Sequence, residues 1–496
     1  MCQTTWIPEL PKNTIIISAV SQRSIAPTSK RVSLYKQFQT KIRHNPDLDR
    51  TLVSNQGNRD VPFYSWFKYR EGFSEQLVSY LLTKLMPQPG VLLDPFVGSG
   101  AALFSAGALG WNTKGIEVLP VGIYAMRARI VATRISPDAF QAAIKKLSTI
   151  NFADYSTEDY AFKHIAITRG AFPATEEREL IGYIGYCHQA AVDEDIRTLL
   201  LYAAFCILEE MSYTRKDGQF LRWDVRSGRT LGKKPLHKGR IIPFREALDS
   251  KLAQMAQDLG LEVVQHPLFL EAKPPHPMAP TPELIEGSCL TILPTMAAGS
   301  LDFVLTSPPY ANRYDYTRTY ALELVFLGCD DEKVKQLRQA MLSCTVENRD
   351  KRAQLQQYYV SLGREQDFQT IEATFEHQAA LQEVLTILET YKEEGKLNNE
   401  NIVKLVRNYF YEMCCVVYEF ARLLRKGGIV ALVNDNVRYA GEEVPVDLIL
   451  SDVAESFGLN TRHIWKLGRG KGNSSQQMGN HGREELRKCV YVWEKL

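Results

Sequence analysis

A short polar corner, Ser307-Pro308-Pro309-Tyr310, follows the apolar run LDFVL and has the residue types to hold an amine-bearing ring. Prolines lack an N–H and keep the backbone extended, so the Pro308 carbonyl stays available as an acceptor. The hydroxyl and carbonyl oxygens can accept the two amine hydrogens while the ring stacks on Tyr310. Such hydrogen bonds free the nitrogen lone pair from conjugation, which favours nucleophilic chemistry at that amine. A plain proline loop is the alternative.

A second motif, LLDPFVGSG, predicts a strand that turns through Gly98 and Gly100 into a helix. Such turns present backbone N–H groups where α/β folds bind nucleotides. Leu103 stands where a dinucleotide fingerprint needs a third glycine, and no Gly-Lys-Ser/Thr follows, so the turn is neither that fingerprint nor a phosphate loop. Glu117 ends the next predicted strand, and a carboxylate there can accept both ribose hydroxyls of a nucleoside.

Both motifs need a parallel sheet to bring them together. Strands are predicted in VLLD, NTKGIE, LDFVL, GGIVALVND and the terminal KCVYVWEKL, with helices between them. Because the carboxyl ends of parallel strands meet at one edge, we expect Gly98 and Ser307 to face the same crevice, with Asn434, Asp435 and Asn436 at the end of a third strand. The fold class predicted is a Rossmann-like α/β sheet with large, mostly helical insertions.

Composition shifts along the chain predict six segments. They are an N-terminal arm or cap (1–60), a part with the glycine turn (61–130), an insertion (131–282), a part with the proline corner (283–330), a helical insertion (331–404) and a part with the last predicted strands (405–496).

Composition indicates an ordinary globular chain. It has 496 residues, 45% of them hydrophobic and 23% charged, with a net charge of +2. No apolar run approaches the ~20 residues of a membrane helix, and the N-terminus lacks signal-peptide features. The nine cysteines show neither metal-ligand nor disulfide spacing. We therefore expect a cytoplasmic protein with reduced thiols, no metal and no membrane association.

DPFVGSG and TSPPY resemble the two signature motifs of S-adenosylmethionine-dependent amino-methyltransferases that act on DNA. REGFSEQLV is similar to the family segment near the methionine end of the cofactor, and LLRKGGIVALVND to a later strand. The sequence GNSSQQMGNHGREELRKCVYVW resembles the ending of some members that modify DNA. The resemblance covers roughly 60–130 and 285–496. It implies S-adenosylmethionine as cofactor, double-stranded DNA with a flipped base as substrate, and a restriction-modification role. It also implies that 61–130 (cofactor-binding), 283–330 and 405–496 are the three parts of the catalytic domain, with 131–282 as the candidate DNA target-recognition region. No nuclease-like stretch stands out, so we expect a separate endonuclease or none.

Roles follow from the resemblance at each matching position. It implies that Asp94, Phe96, Gly98 and Gly100 line the methionine and ribose, that Glu117 binds the ribose hydroxyls, that Phe73 and Ser74 lie near the methionine carboxylate, and that Ser307, Pro308, Pro309 and Tyr310 hold the flipped base. Many members carry a Gly-Asp pair, whose Asp reaches the adenine amine, where this chain has Gly287-Ser288. Ser288 is the candidate for that contact.

In this family, the Ser-Pro-Pro form of the corner occurs more often in members that methylate the exocyclic amine of cytosine. We therefore predict N(4)-methylcytosine as the product. N(6)-methyladenine is the alternative, as are an RNA or tRNA amino-methyltransferase and a catalytically silent DNA-binding subunit. Methylation of the cytosine ring carbon needs a thiolate nucleophile, which usually follows proline. None of the nine cysteines follows a proline, which excludes that chemistry.

A basic segment in the first insertion is the candidate for DNA recognition. Ten Lys or Arg lie between Met211 and Arg245, against two acidic residues. Arginines can read guanine edges, and Trp223 or Phe220 could wedge into the gap left by a flipped base. The DNA-binding residues predicted are Arg215, Arg222, Trp223, Arg226, Arg229 and Lys233. A solvated basic face is the alternative, and the helical insertion 331–404 is a second candidate for recognition.

Overall fold

A computed structural model of the chain describes residues 29–190, 192–217, 220–229, 236–264, 280–468 and 486–496. Its strands are β1 (Ile42–His44), β2 (Val91–Asp94), β3 (Asn112–Glu117), β4 (Thr214–Asp217), β5 (Phe220–Trp223), β6 (Glu283–Glu286), β7 (Leu301–Thr306), β8 (Leu424–Asp435), β9 (Val437–Tyr439), β10 (Glu442–Val444), β11 (Leu459–Lys466) and β12 (Lys488–Lys495).

The α-helices are α1 (Lys30–Phe38), α2 (Glu75–Leu85), α3 (Ala101–Ala108), α4 (Pro120–Ala132), α5 (Pro137–Leu147), α6 (Ala174–Gln189), α7 (Glu194–Cys206), α8 (Leu208–Met211), α9 (Phe244–Val264), α10 (Cys289–Ile292), α11 (Tyr316–Thr319), α12 (Ala321–Phe326), α13 (Asp331–Ala340), α14 (Arg352–Ser361), α15 (Glu365–His377), α16 (Ala379–Glu393), α17 (Ile402–Leu423) and α18 (Val446–Ser456). No helix within these described ranges has the length and apolarity to cross a bilayer.

One eight-stranded sheet organises these elements, in the order β1-β11-β12-β8-β7-β2-β3-β6. Strand β12 runs antiparallel to both of its neighbours, and the other pairings in this sheet are parallel. Helices cover both faces, which is the usual condition for a parallel sheet with continuous apolar strands. The predicted Rossmann-like α/β fold with helical insertions is confirmed.

Alternation along the central strands sends successive side chains to opposite faces of the sheet. Leu92 and Phe303 pack with α2 and α3 on one face, whereas Leu93 and Val304 pack with α17 and α18 on the other. All four side chains are fully buried. Because β2 pairs with β7 in parallel register, the residues that follow the two strands leave the sheet side by side.

The insertions form additional layers. Helices α4 to α9 share a second apolar core with α12 and α13, and β4 pairs with β5 as a hairpin beside it. Helices α14 to α16 pack with α17. Helix α4 crosses the boundary predicted at 130. The segment predicted as an arm or cap (1–60) contributes β1 to the sheet edge, which its sequence, Ile-Arg-His, does not signal.

Gly122, near the start of α4, lies against the backbone of the turn at Gly98. A Cβ at Gly122 would be 2.4 Å from the Gly98 carbonyl oxygen, closer than any real contact. We therefore expect Gly122→Ala to lower the free energy of unfolding by about 1–3 kcal/mol, because the turn must move. Urea-induced unfolding followed by circular dichroism measures this change.

Gly107, another helical glycine, provides the matched control. A Cβ there would lie 3.7 Å from its nearest neighbour, the Pro280 carbonyl oxygen, which is an ordinary contact. Gly107→Ala should leave stability unchanged or raise it by up to about 1 kcal/mol through helix propensity. Equal stabilities for the two variants would contradict the close approach between α4 and the glycine turn.

Candidate active site

A cleft of about 550 Å³, its open mouth included, lies at the carboxyl ends of the central strands. Residues from separate parts of the sequence meet in its wall, and those singled out from the sequence are Phe96, Glu117, Ser288, Ser307 and Pro309. The structure therefore brings the glycine-turn strand, the next strand end and the proline corner to one cavity.

Asp94 joins the two motif-bearing strands. Its Oδ1 accepts hydrogen bonds from the Thr306 hydroxyl at 2.6 Å and from the Phe96 backbone N–H at 3.0 Å. The side chain is buried, and burial raises the pKa of its carboxyl group to about 7 although both hydrogen bonds favour the ionised form. Asp94 thus ties the end of β2 to the end of β7, while the adjacent Pro95 and Phe96 line the cleft.

Glu117 ends β3 and lines the cleft beside the glycine turn. Its Oε2 accepts from the Gly98 N–H at 2.8 Å and its Oε1 from the Leu119 N–H at 2.7 Å. Each carboxylate oxygen has two lone pairs, so one on each remains for a ligand hydroxyl. Burial raises the pKa of Glu117 to about 7, against the lowering effect of these backbone donors.

Two glycines shape the turn itself. Gly98 has φ +56° and Gly100 has φ +88°, a left-handed backbone that favours glycine. A Cβ at Gly98 would lie 2.6 Å from the Tyr69 ring, so the position has no room for a side chain. The G-S-G spacing identified in the sequence is therefore required by the backbone path.

The proline corner extends from the cleft towards β8 and β12. Ser307 and Pro309 line the cleft, and the Ser307 hydroxyl lies 3.4 Å from the Tyr310 hydroxyl. Lys488, at the start of β12, has its Nζ 5.8 Å from the Tyr310 ring centroid and 3.7 Å from Asp435 Oδ1. Since β8 and β2 flank β7 on opposite sides, this charged pair adjoins the corner on the side away from the glycine turn.

Ser288 follows β6 and reaches the cleft wall. Its hydroxyl donates to the Ala340 carbonyl oxygen at 2.8 Å. The next residues of that partner segment, Met341 and Leu342, also line the cleft. The helical insertion 331–404 therefore contributes to the site, a contribution that the sequence analysis did not predict.

Phe73 and Ser74, which the family resemblance implies lie near the methionine carboxylate, come just before α2. Phe73 is buried in the apolar layer beneath α2. Ser74 is the N-cap of α2: its Oγ accepts from the Leu77 N–H and donates to the Leu52 carbonyl oxygen. Both side chains therefore have structural partners, and neither is among the residues of the cleft wall described above.

Tyr69 and Glu71, just upstream, line the cleft instead, and the sequence analysis missed both. Tyr69 stacks on Tyr320 with ring centroids 5.2 Å apart, and the Tyr320 hydroxyl donates to the Glu71 carboxylate. Burial raises the pKa of Glu71. Glu71 lies within REGFSEQLV, the segment that the family resemblance had already singled out, so this resemblance was the available signal for it. Tyr69 comes directly before that segment.

The β4–β5 hairpin has one buried and one outward face. Arg215 lies opposite Arg222 in the antiparallel register, and Lys216 lies opposite Leu221. Lys216 and Leu221 are buried, whereas Arg215 is exposed and Arg222 partly so. Like charges directly opposite on neighbouring strands repel each other, so the outward face is suited to a polyanion.

The remaining predicted DNA-binding residues have varied surroundings. Arg226 binds the carboxylate of Asp224 through both Nε and Nη2. Trp223 is 4% exposed and packs beneath the Arg229 guanidinium, 4.2 Å from the indole centroid. The wedge predicted for Trp223 would require the indole to leave this apolar core, so we do not retain that role. Lys233 lies outside the described residues.

Comparison with known proteins found relatives that are named type II methyltransferases. The chain is 38% identical over 493 residues to the type II methyltransferase M.BsoBI of Geobacillus stearothermophilus, covering 97% of this chain and 94% of that protein. It is 41% identical over 465 residues to the type II methyltransferases M.AvaI of Nostoc sp. and of Anabaena variabilis, covering 93% of this chain and 92% of each. No family model and no solved structure matched. At this identity and coverage, the chain belongs to the type II methyltransferase family.

Proposed function

We propose that the chain is a site-specific DNA methyltransferase that transfers the methyl group of S-adenosylmethionine to the N4 amine of a flipped cytosine. In this role it is the modification enzyme of a restriction-modification system. The single observation that carries the proposal is the shared cleft: Glu117, Ser307 and Pro309 lie in one wall. The type II methyltransferase names of the relatives support the reaction class.

The cleft residues fit the proposed cofactor. The two lone pairs left on Glu117 match the two ribose hydroxyls of the nucleoside. Phe96 offers an apolar ring in the same wall, and Ser288 is retained as the candidate for the adenine amine. When bound, S-adenosylmethionine supplies an electrophilic methyl group on a sulfonium.

The corner residues fit a flipped base. The Ser307 hydroxyl and the Pro308 carbonyl oxygen accept the two hydrogens of the amine, and the base stacks on Tyr310. With its lone pair freed in this way, the amine would act as the nucleophile towards the methyl group that the bound cofactor supplies, and the proton that it loses would pass to solvent. Lys488 and Asp435 adjoin Tyr310, so their charges face the base side of the site.

Recognition of DNA is assigned to the hairpin within 131–282. A two-stranded ribbon fits the major groove, and Arg215 and Arg222 on its outward face have donors for phosphates or guanine edges. Neighbouring Arg226 and Arg229 are already engaged by Asp224 and Trp223, and we infer that they shape the loop that follows the hairpin.

A product analysis tests the function directly. Purified chain, labelled S-adenosylmethionine and duplex DNA should yield N(4)-methylcytosine after digestion to nucleosides. Tyr310→Ala removes the stacking face and should lower the rate at least about tenfold. Tyr35→Ala, at an exposed tyrosine on α1, should not change it.

Each other product would reassign the function in a defined way. N(6)-methyladenine would replace cytosine by adenine while leaving the chemistry unchanged. Label in bulk tRNA but not in duplex DNA would favour an RNA amino-methyltransferase. No transfer to either nucleic acid would favour a catalytically silent DNA-binding subunit.

Glu117→Gln tests the cofactor assignment. An amide accepts less strongly than a carboxylate and does so at one atom only, so we expect about 10- to 100-fold weaker cofactor binding. Calorimetric titration with the unreactive analogue sinefungin measures it. Glu286→Gln is the control, because Glu286 ends the neighbouring strand β6 and pairs at the surface with Arg127.

The pH dependence gives an independent readout of the same residue. The pKa of Glu117 is raised to about 7, so its carboxylate is increasingly protonated below neutrality. Since the ionised form accepts both hydroxyls, sinefungin affinity should rise from pH 6 to pH 8. Asp94, whose pKa is also raised to about 7, titrates over the same range, so the slope should be smaller in Glu117→Gln than in the wild type. An equal slope in that variant would contradict the assignment.

Arg215→Ala/Arg222→Ala tests the DNA-binding face. Loss of two cationic donors should weaken duplex binding at least about tenfold and reduce its salt dependence, because fewer counterions are released. Lys145→Ala/Lys146→Ala removes two exposed charges from α5 of the same insertion and should have a smaller effect. Fluorescence anisotropy at several salt concentrations measures the duplex affinity of both double variants. Equal losses of affinity would contradict the assignment of DNA binding to this face.

A further inference from the structure

A buried ion pair joins the hairpin to the catalytic part of the chain. The Lys216 ammonium on β4 donates to Glu323 Oε1 on α12, and the two side chains are 2% and 1% exposed. Glu323 Oε2 is buried without a hydrogen-bond partner. Both charged groups of the pair are therefore shielded from solvent.

Aromatic rings continue the contact from this pair to the cleft. Lys216 Nζ lies 4.8 Å from the Tyr320 ring centroid and 5.2 Å from that of Phe67. Tyr320 stacks on Tyr69, and its hydroxyl donates to Glu71. Tyr69 and Glu71 both line the cleft, so direct contacts run without a gap from Lys216 to the proposed cofactor site.

The opposite end of the same path is the proposed DNA-binding face. Lys216 points inward, whereas the preceding Arg215 is exposed, because side chains alternate along a strand. A ligand that shifts the hairpin through Arg215 must therefore shift Lys216 against Tyr320. The hairpin and the cleft wall are therefore connected through the contacts of Lys216 with Tyr320 and Glu323.

Fold stability alone does not explain why an ion pair is buried at this position. A buried ion pair costs about as much desolvation energy as its attraction returns, and apolar residues of the same volume often stabilise equally well. A charged pair does add one well-defined geometry, which apolar packing does not impose. Lys216 and Glu323 are therefore suited to fix the hairpin in one position relative to the cleft.

We propose that Lys216 is a positioning residue that couples DNA binding at the hairpin to cofactor binding in the cleft, through Glu323 and Tyr320. The proposal rests on the function proposed above and adds the path by which its two ligands affect each other. Such coupling is reciprocal and typically amounts to a factor of about 5–150 in affinity.

The test compares sinefungin dissociation constants with and without a saturating duplex that contains the site methylated by the wild-type chain. In the wild type we expect the duplex to tighten sinefungin binding at least about fivefold. In Lys216→Met this factor should fall to about one, while sinefungin affinity without DNA stays within about threefold of wild type. A residue that only stabilises the fold would not change this factor.

Lys238→Met is the matched control. Lys238 also anchors the basic segment to the rest of the fold. Its Nζ, unlike that of Lys216, donates to backbone carbonyl oxygens of α8 and of Ser212, at 2.7 Å for Ser212. The control should keep the wild-type coupling factor even if its melting temperature falls. If Lys216→Met does not fold, Lys216→Met/Glu323→Leu removes both charges and replaces it in the same titrations.

The outcomes separate this inference from the function on which it rests. A wild-type chain that methylates no duplex overturns the proposed function and the coupling with it. A wild-type chain that methylates DNA but has a coupling factor of one overturns the coupling alone. An unchanged factor in the Lys216 variants, or an equal loss in Lys238→Met, overturns the assignment to Lys216.

Discussion

The hydrogen bond between Thr306 and Asp94 is the constraint on which the site depends. These residues are 212 positions apart in sequence, yet they end neighbouring parallel strands, and the donor and acceptor atoms lie 2.6 Å apart inside the sheet edge. Removing one partner would leave a buried polar group unsatisfied, at a cost of about 1–3 kcal/mol. The bond therefore holds the glycine turn and the proline corner in a fixed relation, and the cleft forms between them.

Carboxylates with raised pKa values concentrate at this edge. Asp94 and Glu117 both have pKa values raised to about 7, and burial also raises the pKa of Glu71 and Asp435. Burying several carboxylates together is costly for a fold, and such groups are typical of functional sites. Their positions divide the edge in two: Glu71, Asp94 and Glu117 lie towards the proposed cofactor, and Asp435 lies with Lys488 beyond Tyr310.

The parts of the site that follow strands could be predicted from the sequence. Apolar runs with short polar endings identify strands, and parallel pairing then brings Glu117, Phe96 and Ser307 to one edge. Tyr69 and Glu71 could not be found this way, because their loop has no periodicity and reaches the cleft through tertiary packing. The same reason explains the strand at Ile42–His44, whose pairing with β11 is not visible in three residues.

Amino-acid composition was least informative about the surroundings of the residues in the basic segment. Ten basic residues suggested one DNA-binding surface, but the fold distributes them among different environments. Lys216 is buried with Glu323, Arg226 is paired with Asp224, and Arg215 faces outward. Strand alternation in the hairpin, together with side-chain burial, separates these roles, and a count of charges does not.

The most direct measurement of the central claim is the position of a bound cofactor analogue. A crystal structure of the chain with sinefungin should place the ribose hydroxyls at the Glu117 carboxylate and the amine that replaces the methyl sulfonium towards Ser307 and Pro309. Density for the analogue elsewhere on the chain, or a ribose away from Glu117, would contradict the account.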